Sequence, residues 1–499
     1  MQAYDALMGH MKQISALQGV AGLLSWDQEA MMPRKGAEQR AEQAGALSAV
    51  THGLRTDPRI GDWLEAVDAG SLDASGQANL REVRRAFERA TKIPADLAEE
   101  NAKTTARAQG QWADARAAED VAAFLPVLAR VVDLARQQAE CLAEGSGGDA
   151  LYDALMDDYE PGATAAGTAA LFGRLRAGLA TLRAQISDAG RASDGVGPRL
   201  SGDFPRSGQL ALAERLAHAF GYDAEAGRID LVVHPFCSGT RGDVRITTRV
   251  DEGNPFDCLY STIHETGHAL YEQGLPQDLA WQPAGGSVSM GVHESQSRIC
   301  ENQIARSEPF CTWLFPQMTQ TFGPIGVDTA RDFYRAVNRV VPGYIRTEAD
   351  EVHYNLHIMM RFELERALIS GDLAVNDLEA AWNDRFLADF GVAVDKPSNG
   401  MLQDVHWSVG LFGYFPTYAL GNVYAGALNA AMRRDLPDMD AAVAAGDVSA
   451  PVGWLRRHVH GAASLHSPAE IVAKACGAPA DETALLAYLQ AKYGDLYGL

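Results

Sequence analysis

The segment Ser261–Tyr271, STIHETGHALY, sets His264 and His268 four positions apart with Glu265 between them. On a helix this spacing brings both imidazoles to one face, a turn apart, where they can hold one ion. An HExxH pattern is expected by chance on the order of 0.02 times in such a chain. The competing reading is two surface histidines beside a solvated glutamate.

A catalytic zinc needs a third protein ligand and an open position for water. HExxHxxGxxH would put a third histidine six residues after His268, but Tyr271 and Gly274 stand at the relevant positions. The other common solution is a glutamate on a following helix. Gly291-Val-His293-Glu294-Ser-Gln-Ser-Arg298 offers one 26 residues beyond His268, so Glu294 is the expected third ligand. The breakers Gly285-Gly286 and Gly291 are expected to let the chain reverse so that the two helices face each other.

Glu265 directly follows a ligand and points to the open side of the ion. There it can act as general base on zinc-activated water and return the proton to a departing amine. The reaction is hydrolysis of a peptide carbonyl. Two histidines and one carboxylate suit zinc and do not exclude cobalt or manganese. A binding protein with a purely structural zinc would have no use for Glu265 and would usually close the fourth position.

These side chains need rigid supports. The first 140 residues are rich in Ala, Leu, Arg, Glu and Gln, with apolar positions at helical spacing, as in Leu7, Met11, Ile14, Leu17 and Leu24. Loops are expected at Gly145–Gly148, at Glu160-Pro161-Gly162 and from Ser187 to Pro205. One region reads as strand: Ile229–Val233, a turn through Ser238–Gly242, then Asp243–Val250, predicting a hairpin before the metal helix. Helical spacing returns from Asp257, broken at Pro342-Gly343, Pro397–Gly400 and Pro416. The expectation is a mostly α protein, one peptidase unit over 1–499, with a helical N-terminal half (1–205) and a catalytic half (206–499) carrying the metal.

The 499 residues are 47% hydrophobic and 22% charged, enough to bury a large core. A net charge of -22 repels phosphate backbones and anionic membranes, so neither is an expected partner. No run of roughly 18 apolar residues and no leader-like N-terminus is present, which predicts a cytoplasmic protein. The six cysteines, widely spaced without a CxxC pair, read as reduced and mostly buried thiols.

With HETGH and HESQSR in place, further segments match a known family: His234-Pro-Phe, Asp243-Val-Arg245-Ile-Thr247, Ile345-Arg346-Thr-Glu-Ala-Asp350 and Gly400-Met-Leu-Gln403-Asp404-Val-His406-Trp407. Together with Ser25-Trp-Asp-Gln-Glu29 and Met31-Met-Pro33, they resemble the carboxypeptidase Taq family of zinc metallocarboxypeptidases. The resemblance implies release of single C-terminal residues with broad tolerance, by a mostly helical, saddle-shaped subunit with a deep groove, usually a homodimer.

An enzyme that reads a free C-terminus must pair its carboxylate with a fixed cation, for which the arginine fork is suited. Arg346 and Arg245 are the candidates. The family motif favours Arg346, and the resemblance adds His234 and Gln403 to substrate binding. Alternation puts Asp243, Arg245 and Thr247 on one strand face, and that strand could also pair with peptide main chain. By analogy with distantly similar helical zinc peptidases, His406 and Tyr418 are chosen to stabilise the oxyanion. His353 and His357 have metal-like spacing but no obvious third ligand and stay off the ligand set. An oligoendopeptidase using the same ligands is the remaining enzymatic alternative, and a non-catalytic helical zinc-binding protein the alternative from another class.

Overall fold

The alanine- and leucine-rich stretches become long helices over Gln2–Ala30, Ala37–Arg55, Ala74–Lys92, Ala95–Ala118, Val121–Leu142 and Ala165–Ala192. Where their starts are capped, short acids do it: Asp73 accepts from Gly76 N and Asp120 from Ala123 N. The computed structural model describes residues 2–145, 149–192 and 197–499. Two expected loops therefore lie partly outside the described residues, at 146–148 and 193–196. The loop expected from Ser187 begins later, because helix continues to Ala192. Ala184, Ala189 and Ala192 favour it, and one glycine costs only about 1 kcal/mol.

The strand region differs from the hairpin expected. Three strands form, β1 (Gly227–Leu231), β2 (Cys237–Thr240) and β3 (Asp243–Thr248), in the order β1-β3-β2. β1 and β3, expected to pair as a hairpin, are parallel, with Arg228 opposite Arg245. The stretch read as a turn supplies β2, which runs antiparallel to β3 with Ser238 opposite Arg245. The crossover is held by Thr247, whose Oγ1 accepts from Phe236 N at 2.7 Å while its N–H donates to Phe236 O at 3.0 Å. The two-residue turn needs a positive φ of 54° at Arg241. It is fixed there by bonds from Arg241 N to Glu272 O (3.1 Å) and from Nε to Pro276 O (3.2 Å). Because β3 is central and paired on both sides, it has no free edge for pairing with a peptide main chain.

Two large apolar clusters organise the helices. One joins Phe124, Leu128, Phe172 and Leu179 to Phe362, Trp382, Phe415 and Tyr493, thus drawing on both sides of residue 205. The other packs Leu216, Ile263, Tyr271, Ile299, Phe310, Leu428 and Trp454 around the HExxH helix, Pro255–Gly274. All six cysteines are free, three of them buried and three half-buried. Among the described residues no helix is long and apolar enough to cross a membrane.

Candidate metal centre

The HExxH helix starts with proline in its first turn and is tied to the sheet by Thr262, whose Oγ1 donates to Thr248 Oγ1 at 2.9 Å. The chain then reverses and enters the helix Met290–Arg298, capped by Ser289 through Val292 N at 3.1 Å. Gly291, expected in the reversal, lies inside this helix; its N–H donates to the buried Glu160 carboxylate at 2.9 Å. Burial pushes Glu160 up to about 7. The two metal helices approach closely because Gly267 has no side chain: a Cβ there would meet Ser297 Cα at 2.5 Å. Gly421 does the same on the other flank, where a Cβ would lie 2.6 Å from Glu294 Cβ.

This packing brings His264, His268 and Glu294 together, with one donor atom from each within 4.8 Å of the others. It is the one such cluster of three or more among the described residues. Glu294 Oε2 lies 3.8 Å from His264 Nε2 and 3.6 Å from His268 Nε2. A tetrahedral zinc needs donor atoms about 3.3 Å apart. The chemistry of the set also fits a divalent ion, because the remaining polar atoms of each ligand are committed elsewhere. His264 Nδ1 is 2.9 Å from Glu301 Oε2, His268 Nδ1 is 2.5 Å from His293 Nδ1, and Glu294 Oε1 accepts from Arg298 Nε at 2.7 Å. Each ligand therefore presents a single atom inward.

Glu301 comes from a turn of π-helix, Ile299–Ala305, that directly continues the ligand helix. The wider turn is a feature frequent at functional sites. Burial pushes Glu301 up, but the bond to His264 and the charges of Arg306 and Arg298 outweigh it and hold the carboxylate well below its usual range. Burial, with His293, His264 and Arg298 nearby, drives His268 far below the ordinary histidine value, so its imidazole is neutral. Glu265 is 7% exposed, and burial pushes its carboxyl up to about 7.

A second group of residues packs behind the cluster. Arg346 is buried, donating to Asp404 Oδ1 from Nε (3.2 Å) and Nη2 (3.1 Å) and to the Tyr354 hydroxyl from Nη1 (3.2 Å). Asp404 also receives Arg361 Nε at 2.7 Å. The two arginines overcome its burial and hold it well below the carboxylate range. Gln403 Oε1 accepts from Arg346 N at 3.1 Å, so it braces the Arg346 backbone. His406 Nε2 is 3.3 Å from the Tyr418 hydroxyl, and burial lowers His406 to about 4. Tyr418 lies under the Arg346 guanidinium, 4.8 Å from it, with Tyr414 edge-on at 5.3 Å. Burial and the Glu294 charge push Tyr414 up to about 12.

The other sequence candidates stand apart from these contacts. Arg245 is bound by Asp243 at 2.7 Å and stacked over Trp26 at 4.2 Å, while His234 is exposed in the β1–β2 connection. His353 pairs with Asp350 at 2.8 Å, and His357 packs tilted against Phe390 at 4.4 Å.

Sequence reasoning missed Glu301, Glu272 and Tyr354, and gave no role to His293 or Arg298 although both lie in HESQSR. Their signal was position: Arg298 falls one helical turn after Glu294, and Glu272 one turn after His268.

The sequence model of the carboxypeptidase Taq (M32) metallopeptidases matches residues 6–493. The chain is 42% identical to thermostable carboxypeptidase 1 of Thermus thermophilus, covering 99% of each chain. It is 34% identical to carboxypeptidase 1 of Bacillus subtilis, over 98% of this chain and 97% of that one. In structure it resembles the M32 carboxypeptidase of Deinococcus radiodurans (TM-score 0.93, 38% identity, 100% of both chains). It is likewise similar to metallocarboxypeptidase 1 of Trypanosoma cruzi (TM-score 0.96, 34% identity, 99% of both chains).

Proposed function

The chain belongs to the carboxypeptidase Taq (M32) metallopeptidase family and is a metallocarboxypeptidase, and on that premise we propose that it removes single residues from free peptide C-termini with broad tolerance, using zinc held by His264, His268 and Glu294 and Glu265 as general base. The observation that carries this reading is the convergence of three single donor atoms within 4.8 Å of one another, on the helix that also bears the buried Glu265.

A divalent ion held there supplies Lewis acidity, polarising the scissile carbonyl and making water nucleophilic near neutral pH. Zinc suits the donors best, and cobalt or manganese would be accepted by the same set. Glu265 takes the proton that water gives up on attack and hands it to the departing amine. Its burial raises its basicity above that of an exposed glutamate, which suits a base that must also act as an acid.

Tyr418 donates toward the oxygen that becomes negative as the carbonyl is attacked, and His406 supports it by donating from Nε2 to the Tyr418 hydroxyl. The neutral imidazole and the 3.3 Å contact between them support a shared role. Arg346 binds the substrate carboxylate, its orientation fixed by Asp404, Tyr354 and Gln403. Arg245 and His234 bind more distant parts of the peptide, from the sheet and its β1–β2 connection. The same reading takes 1–499 as one peptidase unit, with the metal site in 206–499, acting as a cytoplasmic homodimer. The net charge of -22 argues against nucleic acid and anionic membranes as partners.

Mass spectrometry of a peptide and its C-terminally amidated twin, incubated with zinc-loaded enzyme, tests the proposal. A chelator-sensitive ladder of single-residue losses from the free C-terminus alone is the expected result. Internal cuts in both peptides would instead make the chain an oligoendopeptidase.

A further inference from the structure

The two imidazoles of the cluster are backed differently. His264 Nδ1 meets a carboxylate directly, that of Glu301 at 2.9 Å. His268 Nδ1 meets another imidazole, His293 Nδ1, at 2.5 Å, and His293 Nε2 reaches Glu272 Oε1 at 3.1 Å. The chain of contacts ends on a carboxylate, and that carboxylate sets the proton positions along it. Glu272 accepts and cannot donate while ionised, so the proton between it and His293 belongs to His293 Nε2. A neutral His293 then has a bare Nδ1, which can only accept. The proton on the short contact therefore belongs to His268 Nδ1, and His268 Nε2 carries the lone pair that faces Glu294. Reversing any one of these assignments sets two donors or two acceptors against each other.

We infer that Glu272 and His293 form a positioning relay that locks His268 in the tautomer and ring orientation required to bind the metal through Nε2. The inference rests on the metal-site assignment proposed above. The relay is also built into the scaffold. Glu272 lies on the HExxH helix one turn beyond His268, and His293 on the facing helix immediately before Glu294. Thr240, on β2, and Ser287 lie beside Glu272 and favour its charged form, and its backbone carbonyl receives Arg241 N from the β2–β3 turn. Tyr271 packs its ring 5.3 Å from His293. One residue thus lies where the tip of the sheet, the chain reversal and both metal helices meet.

Glu272→Gln keeps a hydrogen-bond acceptor but removes the charge, Glu272→Ala removes both, and His293→Gln cuts the connection to His268. Zinc affinity of the full-length variants is measured by chelator competition, together with the visible absorption of their cobalt(II) forms and the unfolding midpoint without metal. His264→Ala serves as a variant with a ligand deleted. The relay is supported if zinc binding weakens by roughly 10- to 100-fold in Glu272→Ala and His293→Gln and less in Glu272→Gln. A cobalt spectrum altered in the same order belongs to that result, since a scaffold role alone would move the metal-free midpoint and leave the spectrum. Wild-type affinity and spectrum in both strong variants, with zinc lost from His264→Ala, would overturn the relay alone. Retention of zinc by His264→Ala would show that the metal site itself is misassigned, and the relay would fall with it.

Discussion

Arg298 follows Glu294 by one helical turn and donates from Nε to its Oε1 at 2.7 Å, which leaves Oε2 alone facing the two histidines. The bond leaves one carboxylate oxygen free for the proposed metal and keeps the side chain from rotating. Arg298 also bears on Glu301 at 3.3 Å and lies over the Tyr354 ring at 4.1 Å, so one guanidinium links Glu294 and Glu301 to the tyrosine that Arg346 contacts.

Arg298→Lys retains a charge but loses the planar fork. Zinc affinity is expected to fall by roughly 10- to 100-fold on chelator titration, as for other residues that orient ligands. Wild-type affinity would mean that Glu294 needs no such anchor.

Gly267→Ala puts a methyl 2.5 Å from Ser297 Cα, a backbone contact that cannot move aside as a side chain would. The two metal helices must separate. A loss of about 1–3 kcal/mol in unfolding free energy, with weaker zinc binding, is the expected outcome of denaturation and metal titration.

Tyr418→Phe removes the hydroxyl that contacts His406. If it stabilises the developing oxyanion, kcat falls by roughly 10²- to 10³-fold with KM nearly unchanged. Tyr414→Phe should lose less, because the hydroxyl that meets His406 Nε2 is that of Tyr418. Steady-state kinetics that put the larger kcat loss on Tyr414 would reassign the role.

Much of this site was legible in the sequence, for reasons of geometry. HExxH spacing and helical periodicity fix where two imidazoles point, and a glutamate on the next helix is the other common source of a third ligand once HExxHxxGxxH is excluded. The sheet was less legible. Cys237–Thr240 is a four-residue strand containing glycine, too short and too weak in β-propensity to announce itself beside β3. Its pairing was decided by tertiary contacts of Arg241 and Thr247. Glu301 and Tyr354 were illegible because their roles arise from packing between distant segments, and nothing in local spacing marks a π-turn. Arg346 was legible as the candidate for the substrate carboxylate only through its motif; its burial and its commitment to Asp404 appear in three dimensions alone.

Glu365 makes a pH prediction. It is fully buried, accepts from Tyr152, Trp407 Nε1 and Gly413 N, and burial pushes it up to about 7. A carboxyl whose folded pKa exceeds its unfolded value contributes stability that is present in acid and is lost as pH rises through the folded value. Between roughly pH 4.5 and 7 the native chain should lose about 3 kcal/mol at this group. Glu365→Gln cannot ionise. Its stability deficit relative to wild type should shrink by up to that amount between pH 5 and pH 8, as read by chemical unfolding at both. A constant deficit would show that Glu365 stays ionised throughout.

The central claim is that Glu265 is the base and not a ligand. Glu265→Gln, compared with wild type for zinc content and for turnover of a free C-terminal peptide, tests it most directly. The expected variant binds one zinc per chain with near-native affinity and has lost nearly all kcat. A variant that turns over at the wild-type rate, or that no longer holds zinc, would contradict the assignment.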